Sequence, residues 1–511
     1  MSHSDEEKEA VASPQADGTG TGTGTGVVHL ERRFSFLACL GMAFIMLNSW
    51  TGDLGVVLPS GGSVSVVYGC IVSAIGAATT GLSLAEFCHV YPVTGGQYDW
   101  VYIITPERYR RPVSYVVGWL AAAGWIALTA VSAAFCGTFI SAFVALWHPD
   151  FTLTNWHTFL IYIAFCILPF LLNTFAIRLL PLVEKAGFYW GVSGIVVVSI
   201  VLLATASPGF QPPKAVFATF TNETGWPDGV AFLLGLLQST LGLAGYDAIT
   251  HMMEEMPAPS KNGPKVLLLA IALGAVTGWL FLVILLLCLK DIDAVIASPT
   301  GPLLAIYQQA TNSAAGATCL AMFNFLCMVF MTQGIMTIAS RMVWTFARDR
   351  GLGHLSPILA PVHPTLKVPV WSVVFVLVWC VVLGLIYLGS TVAFNAIASS
   401  SLSLLQISYF IPILIVFVRG DAVYADQPRT WSLGRWRRPI NAVALAFLLT
   451  TSVCFAFPPA LPVTGSSMNY DVVVLAIVAL FAVGTWVTDA HKNFYGPSEL
   501  EQRIQEGRRM W

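Results

Sequence analysis

The chain has 511 residues, of which 56% are hydrophobic and only 10% are charged. Soluble proteins carry about 25% charged residues, so this composition excludes an ordinary soluble globular protein and indicates one embedded in a membrane. The formal net charge of −2 gives no indication of a nucleic-acid partner, and we expect none.

The first 33 residues are polar and contain a Gly-Thr repeat from Gly18 to Gly26. Such a segment cannot bury apolar area, so we predict a disordered tail over residues 1–33. Most of the apolar runs that follow reach the roughly 20 residues needed to cross the hydrocarbon of a bilayer. The sequence therefore predicts an all-α polytopic membrane protein of twelve transmembrane helices over 34–488, followed by a second tail over 489–511. The twelve runs are 34–59, 64–88, 113–147, 156–177, 186–206, 229–253, 266–289, 314–343, 369–388, 392–418, 440–461 and 470–488.

Basic residues are distributed unequally between the alternate loops of this arrangement. Of the 25 Lys and Arg residues, only Lys214 and Lys290 fall in one set of loops; Arg341 lies within the eighth run, and the other 22 lie in the other set of loops or in the tails. Basic residues are retained on the cytoplasmic side of a membrane, so we predict that both tails are cytosolic. A wrong number of spans would mix the two sets, so the same distribution supports a count of twelve.

The first and sixth apolar runs each place glycine and a carboxylate at mid-membrane depth, where glycine weakens a helix and an ionisable group is costly. A single glycine-rich run would be explained by close helix packing. Two such runs five apart have opposite directions, which is typical of inverted-repeat transporters with broken helices 1 and 6. We therefore predict a repeat over about 34–206, a second over about 229–418, and two added helices over about 440–488. The interrupted stretches comprise Asn48, Ser49, Trp50, Thr51, Gly52 and Asp53 in the first run, and Gly242, Gly245, Tyr246 and Asp247 in the sixth.

Several stretches resemble amino acid–polyamine–organocation permeases, and most of all the fungal amino acid/choline group. They are Ser83-Leu84-Ala85-Glu86 with Tyr91–Tyr98, Asn48-Ser49-Trp50, Gly245–Ala248 with His251–Glu255, and Ser340-Arg341 with Phe346–Gly351. The resemblance covers roughly 32–490. It implies a LeuT-like fold of five plus five inverted helices and proton-coupled uptake across a fungal membrane, with the plasma membrane expected. It does not select among choline, γ-aminobutyrate and other amino acids.

The residues of the two interruptions suggest a site for a cationic head group. Asp53 and Asp247 are the deepest carboxylates, and no Lys or Arg lies at their depth. The aromatic faces of Trp50, Tyr246 and Trp125 could add cation–π contacts. In the alternative interpretation, each aspartate only satisfies backbone groups at its own break. The predicted substrate-binding residues are Asn48, Ser49, Trp50, Thr51, Gly52, Asp53, Trp125, Gly242, Gly245, Tyr246, Asp247 and Asn324.

A second group of polar residues suggests a proton relay or a gate toward the cytoplasm. Asp247, His251 and Glu255 are spaced i, i+4, i+8, which puts them on one face of a helix. Histidine titrates near neutral pH and serves with carboxylates in proton relays. His251 could instead pack at an interface, and the glutamates could be solvated ion pairs; the spacing suits no metal site. The predicted relay or gate residues are Glu86, His89, His251, Glu254, Glu255 and Arg348.

Other classes of function fit less well. The G-x-x-x-x-G-K-[ST] phosphate loop of an ATP-driven pump does not occur. Gly52-Asp53 and Tyr246-Asp247 imitate the motifs of an intramembrane aspartyl protease, but in inverted order. We therefore expect a secondary active transporter with no enzymatic activity and no cofactor, whose partners are a small amine or amino acid, protons and membrane lipid. The alternatives are a polyamine or other amine carrier on an internal membrane, and a nutrient sensor that keeps the transporter fold.

Two features lie outside the predicted spans. Asn222-Glu223-Thr224 is a glycosylation sequon in a predicted outer loop, close to the sixth run. The segment 498–511 could form a short interfacial helix that places Arg503 and Arg508 over anionic lipid, or it could be a frayed tail.

Overall fold

The computed structural model describes residues 33–47, 54–151, 153–389, 391–424, 430–465, 468–497 and 499–508. Within these ranges the chain is mainly helical, and one isolated β-bridge joins Ser60 to Asn222. The α-helices are α1 (Phe36–Met46), α2 (Leu54–Val57), α3 (Gly62–Val90), α4 (Gln97–Ile104), α5 (Glu107–Trp147), α6 (Asn155–Phe175), α7 (Leu180–Ala206), α8 (Pro213–Phe217), α9 (Asp228–Gly242), α10 (Pro259–Cys288), α11 (Ile292–Ile296), α12 (Pro302–Thr311), α13 (Ala314–Arg348), α14 (Ser356–Leu359), α15 (Val370–Gly389), α16 (Thr391–Arg419), α17 (Arg437–Cys454), α18 (Asp471–Thr485), α19 (His491–Asn493) and α20 (Leu500–Arg508).

Nine helical stretches within the described residues are long and apolar enough to cross a membrane, and α1 and α15 contain shorter apolar helices. Each of the twelve predicted apolar runs contains at least one helix. A helix pairs its backbone groups internally, as the hydrocarbon core requires. The prediction of an all-helical, polytopic membrane protein is confirmed, whereas the count of twelve spans stays a prediction.

Helix α1 of the first run and the interruption of the sixth run lie in the interior of the helix bundle. Helix α1 packs against α7, α10 and α13. The sixth run continues beyond α9 as a 3-10 helix over Tyr246–Met252, which contacts α1, α3, α10 and α13. Helices α5 and α16, whose side chains Trp125 and Tyr409 contact this 3-10 helix, also pack against each other. This arrangement encloses the polar residues of the sixth run among apolar helices.

Loops that the charge distribution assigns to the same side of the membrane also contact each other. Gln211 Nε2, three residues before Lys214, donates to the carbonyl of Lys290 at 3.0 Å. In the other set, Arg111 Nε donates to the carbonyl of Phe494 at 2.8 Å. These contacts agree with the predicted sorting of loops, while the tail over 1–32 lies outside the described residues.

The C-terminal segment forms the expected short helix, but the environment of Arg503 differs from the expected one. Residues Leu500–Arg508 form α20, and the Arg503 side chain is buried in the protein rather than placed over lipid. Its Nη2 lies 3.0 Å from Asp349 Oδ1, and Tyr98 donates to the other oxygen of that carboxylate at 2.8 Å. Burial, with the nearby Asp349 carboxylate, raises the pKa of Asp99 in the same cluster to about 7. A buried guanidinium needs a carboxylate partner, and Asp349 supplies it.

Candidate functional site

The interruption predicted for the sixth run is present in the structure. Helix α9 ends at Gly242, and three residues later Gly245 has a φ of +83°, in the left-handed region that favours glycine. A Cβ placed on Gly245 would lie only 3.5 Å from the ring of Trp125. The bare backbone of the break therefore lies next to the predicted aromatic residue of α5.

In the first run, α1 ends at Met46, and the next described helix, α2, begins at Leu54. Half of the predicted substrate-binding residues fall between these points and lie outside the described residues. They are Asn48, Ser49, Trp50, Thr51, Gly52 and Asp53.

Asp247 is completely buried just after the break and has three protein partners. Tyr409 of α16 donates its hydroxyl to Oδ1 at 2.5 Å. Gln97, the first residue of α4, donates its amide to Oδ2 at 2.7 Å. His251 Nε2 lies 3.4 Å from the same oxygen, within ion-pair distance. The carboxylate thus joins the broken run to two other elements of the fold.

The geometry of His251 defines where its hydrogens are. Nδ1 lies 3.2 Å from the backbone carbonyl of Thr94, and a carbonyl oxygen only accepts, so Nδ1 carries a hydrogen. A neutral ring would then turn the lone pair of Nε2 toward a carboxylate oxygen of Asp247. A hydrogen on Nε2, or one on that oxygen, would turn this 3.4 Å contact into a hydrogen bond. Both side chains of the pair are fully buried.

A glycine allows the loop before α4 to approach this pair. Gly96 has a φ of +59°, and a Cβ placed there would lie 2.8 Å from Thr250 Oγ1 and 3.1 Å from His251 Cε1. Any side chain at this position would push the loop away from the 3-10 helix. The close approach brings Gln97 and the Thr94 carbonyl to their partners.

Two ion pairs connect the end of the sixth run to α13. Glu254 pairs with Arg348 at 2.9 Å, and Glu255 pairs with Arg341 at 2.8 Å. Burial opposes ionisation of Glu254, but the Arg348 guanidinium outweighs it and lowers the pKa of that carboxyl. The carbonyl of Glu255 also accepts from the backbone N–H of Phe34, before α1. These contacts close one end of the bundle around both interrupted runs.

Aromatic rings complete the surroundings of the break. The Tyr246 ring lies 5.3 Å from that of Tyr409, and Trp125 meets His251 edge-on at 5.9 Å. Trp125 Nε1 is buried and has no hydrogen-bond partner among the described residues. An indole N–H is a donor only, so a buried donor without a partner among the described residues lies beside the backbone of Gly245.

The sequence is similar to known membrane transporters over most of its length. A model of the amino acid permease family matches residues 34–479. The chain belongs to this family. It is 35% identical to a Macrophomina phaseolina protein named as an amino acid/polyamine transporter, covering 84% of this chain and 96% of the relative. It is 33% identical to a choline transporter of Saccharomyces cerevisiae (94% and 85%) and 31% identical to a transmembrane transporter of Metarhizium robertsii (91% and 93%). The resemblance inferred from the motifs is thereby confirmed.

Glu86 and His89 of the permease form hydrogen bonds with residues other than Asp247 and His251. Glu86 accepts two hydrogen bonds from the Arg437 guanidinium, at 2.6 and 2.8 Å. His89 Nδ1 lies 3.0 Å from the Ser260 carbonyl, while its Nε2 accepts from the backbone N–H of Thr430. The geometry favours a structural role for both residues, and we do not carry them into the proposed relay.

Glu255 departs from the predicted series on one helix face. The helix is of the 3-10 type and ends at Met252, so Glu255 lies beyond it and turns to Arg341. The series therefore reduces to Asp247 and His251, and Glu255 belongs to the ion pairs at the closed end.

Two further predicted residues have partners of their own. Asn324 is buried on α13 and accepts from the Tyr307 hydroxyl of α12 at 2.9 Å. Asn222 Nδ2, the atom that a glycan would need, donates to the Trp226 carbonyl at 2.7 Å and to Asp228 at 2.9 Å. Asn324 therefore connects α13 to α12, whereas Asn222 holds its own loop in place.

Sequence reasoning missed three residues that shape the site. Gln97 lies in the stretch Tyr91–Tyr98 that carries the family resemblance, but the sequence suggested no role for it. Arg341 is a charge within an apolar run, which by itself marks a functional or paired position. Tyr409 carried no local signal, because its role depends wholly on the packing of α16 beside the sixth run.

Proposed function

We propose that this permease takes up a small nitrogen-containing solute together with protons, by alternating access. The observation that supports the proposal is the buried contact between Asp247 and His251 at the break of the sixth run, a carboxylate–histidine pair of the kind that serves in proton relays. Such a pair can accept a proton from one side of a membrane and release it to the other once its exposure changes. The twelve-span, five-plus-five inverted repeat is part of the same proposal.

The pair also suggests how proton release is linked to opening. Without its proton, Asp247 and His251 would face each other as two acceptors 3.4 Å apart. The 3-10 helix that carries them must then shift, and it leads directly into Glu254 and Glu255. Their ion pairs with α13 hold one end of the bundle closed. Loss of the proton therefore favours the state in which these pairs separate.

The chemistry of the break suits a solute with an amine. Trp125 and Tyr246 offer aromatic faces to a cation, and such contacts contribute about 0.5–2 kcal/mol each. The Trp125 N–H could bind a carboxylate if the solute has one. Relatives named for choline and for amino acids or polyamines support this range. We propose choline, γ-aminobutyrate or a similar amine as the substrate class, taken up at a fungal plasma membrane.

Competition uptake in a transport-deficient yeast tests the substrate class. Cells that express the permease receive a radiolabelled amine and an excess of choline, γ-aminobutyrate, a polyamine or one of a panel of amino acids. We expect at least one compound with an amine to be accumulated and to compete. Accumulation of none, in cells with the protein at the surface, would favour a nutrient sensor instead.

Proton coupling gives a prediction of pH dependence. Uptake is expected to rise as the external pH falls from about 7 to about 5, because protons are consumed with the solute and histidine titrates in this range. A protonophore should abolish accumulation, and replacement of sodium should not. Sodium-dependent uptake that survives the protonophore would contradict the proposal.

The sorting of basic residues gives a prediction of orientation. Both termini are expected in the cytosol, since positive loops are retained there. Epitope tags at either end should bind antibody only in permeabilised cells, with a tag between residues 214 and 222 as the accessible control. A C-terminal tag that is reached in intact cells would overturn the orientation and the span count together.

A further inference from the structure

A second buried carboxyl group lies among the membrane helices, away from the Asp247–His251 pair. Glu184 of α7 is 1% exposed, and neither of its side-chain oxygens has a hydrogen-bond partner among the described residues. A buried polar group without a partner is rare in folded proteins. None of the functions considered above uses this residue.

The carboxyl group lies between α1, α7 and α13 in apolar surroundings. Its Oε1 is 3.7 Å from the point where a Cβ on Gly334 would be, and the same point lies 3.5 Å from Met42 Cγ and 2.8 Å from Met46 Cε. The absence of a side chain at Gly334 leaves room for the carboxyl. The carboxyl oxygen therefore lies beside Gly334, with Met42 and Met46 of α1 close to the same point.

None of the charged groups around α7 pairs with Glu184 in the described structure. The two lysines of α10 are exposed, and the Arg341 guanidinium, two helical turns beyond Gly334, is paired with Glu255. On α7 itself, Lys185 is partly exposed. The titratable or charged groups on the elements packed against α7 are Cys39 on α1, Arg178 before α7, Lys261, Lys265 and Cys288 on α10, Tyr307 on α12, and Cys319, Cys327, Arg341 and Arg348 on α13.

We propose that Glu184 is a second proton site, occupied in the conformation described here; this inference rests on the proposed proton-coupled function. An isolated carboxylate in an apolar interior is strongly disfavoured, whereas the neutral acid is tolerated. The O–H bond of the acid breaks only where water can accept the proton and hydrate the carboxylate that remains.

Movement of α1 would provide that access. The backbone of α1 covers Glu184 closely, because a Cβ on Gly41 would lie 2.6 Å from the Glu184 carbonyl oxygen. The last residue of α1, Met46, also reaches the sixth-run break, where its Cβ lies 3.8 Å from the Cβ position of Gly245. A displacement of α1 that alters the break therefore also uncovers Glu184. Release of its proton is thereby tied to the same conformational change.

Infrared spectroscopy of the purified full-length protein in lipid tests the protonation itself, without any substrate. At neutral pH the wild type should show the carbonyl stretch of a protonated carboxyl group, and Glu184→Gln should lack that contribution. Glu107→Gln, at an exposed glutamate of α5 whose side chain is 86% exposed, is the matched control and should keep it. Identical spectra for the wild type and Glu184→Gln would overturn the proposal.

Transport in vesicles tests the coupling, with labelled choline and γ-aminobutyrate as probes. Each coupled proton raises the limiting accumulation about tenfold per pH unit of gradient. In Glu184→Gln, the limiting accumulation should be about tenfold lower per pH unit of gradient than in the wild type. Exchange of labelled for unlabelled solute should continue. Accumulation equal to that of wild type would contradict the proposal. If the wild type itself ignores the gradient, the proposed coupling fails, and the infrared result still decides the state of Glu184.

A neutral side chain must be tolerated at this position if the site holds a neutral acid. Glu184→Met, of similar length and apolar like its neighbours, is therefore expected to reach the membrane as well as Glu184→Gln. Failure of both variants to fold would mean that the position requires a charge, and would overturn the proposal.

Discussion

Asp247→Asn is expected to raise the concentration of solute for half-maximal uptake by roughly 30- to 1,000-fold, the equivalent of about 2–4 kcal/mol. Asparagine keeps the shape of the side chain and one acceptor for Tyr409, but it removes the charge and the shared proton. A cationic solute would lose its electrostatic partner at the break. Initial rates of uptake over a range of concentrations, with the surface level of the protein measured in parallel, give the comparison.

The same variant separates the two roles open to this aspartate. If Asp247 only braces the break through Tyr409 and Gln97, asparagine should serve almost as well, and affinity would stay near that of wild type. Normal affinity at a normal surface level would remove the charge-recognition hypothesis and leave the family assignment intact. Asp53→Asn should show a milder effect, since an aspartate that only satisfies its own backbone tolerates the amide.

Much of the helical architecture could be predicted, because the membrane imposes a simple physical rule. Each stretch that crosses hydrocarbon must be apolar and must pair its own backbone groups, so the helices follow the apolar runs. The interruption at Gly245 was predictable for a related reason, since a glycine beside an aspartate at that depth is costly unless it has a use. The short connecting helices, such as α4 and α12, carry no comparable signal.

The contacts of the site were predictable only in part. His251 lies four residues from Asp247, so their proximity follows from local geometry. Gln97 and Tyr409 lie 150 and 162 residues from Asp247, and only the packing of the bundle brings them together. Glu86 and His89 formed an equally plausible local pair in the sequence. The segment around Thr430 and Arg437 folds over them and supplies their partners. No local sequence pattern predicts these contacts.

Glu255→Gln is expected to destabilise the protein by about 3–5 kcal/mol, the scale for removing one partner of a buried ion pair. The Arg341 and Glu255 side chains are 0% and 2% exposed, so the guanidinium would remain buried without a counter-charge. Thermal unfolding of the purified protein should show a clearly lower midpoint. Glu107→Gln is the matched control, because its pair with Arg110 is solvent-exposed at 3.4 Å and such pairs contribute little.

A double variant distinguishes the loss of the pair from the cost of an unpaired charge. Replacing a whole buried pair with apolar side chains of similar volume is often neutral or stabilising. Glu255→Met combined with Arg341→Met is therefore expected to unfold at a higher temperature than Glu255→Gln alone. The double variant should nevertheless have weaker control of access, because only the Glu254–Arg348 pair would then connect the end of the sixth run to α13. An unchanged midpoint in Glu255→Gln would show that water reaches Arg341, and that this end of the bundle is not closed by the pair.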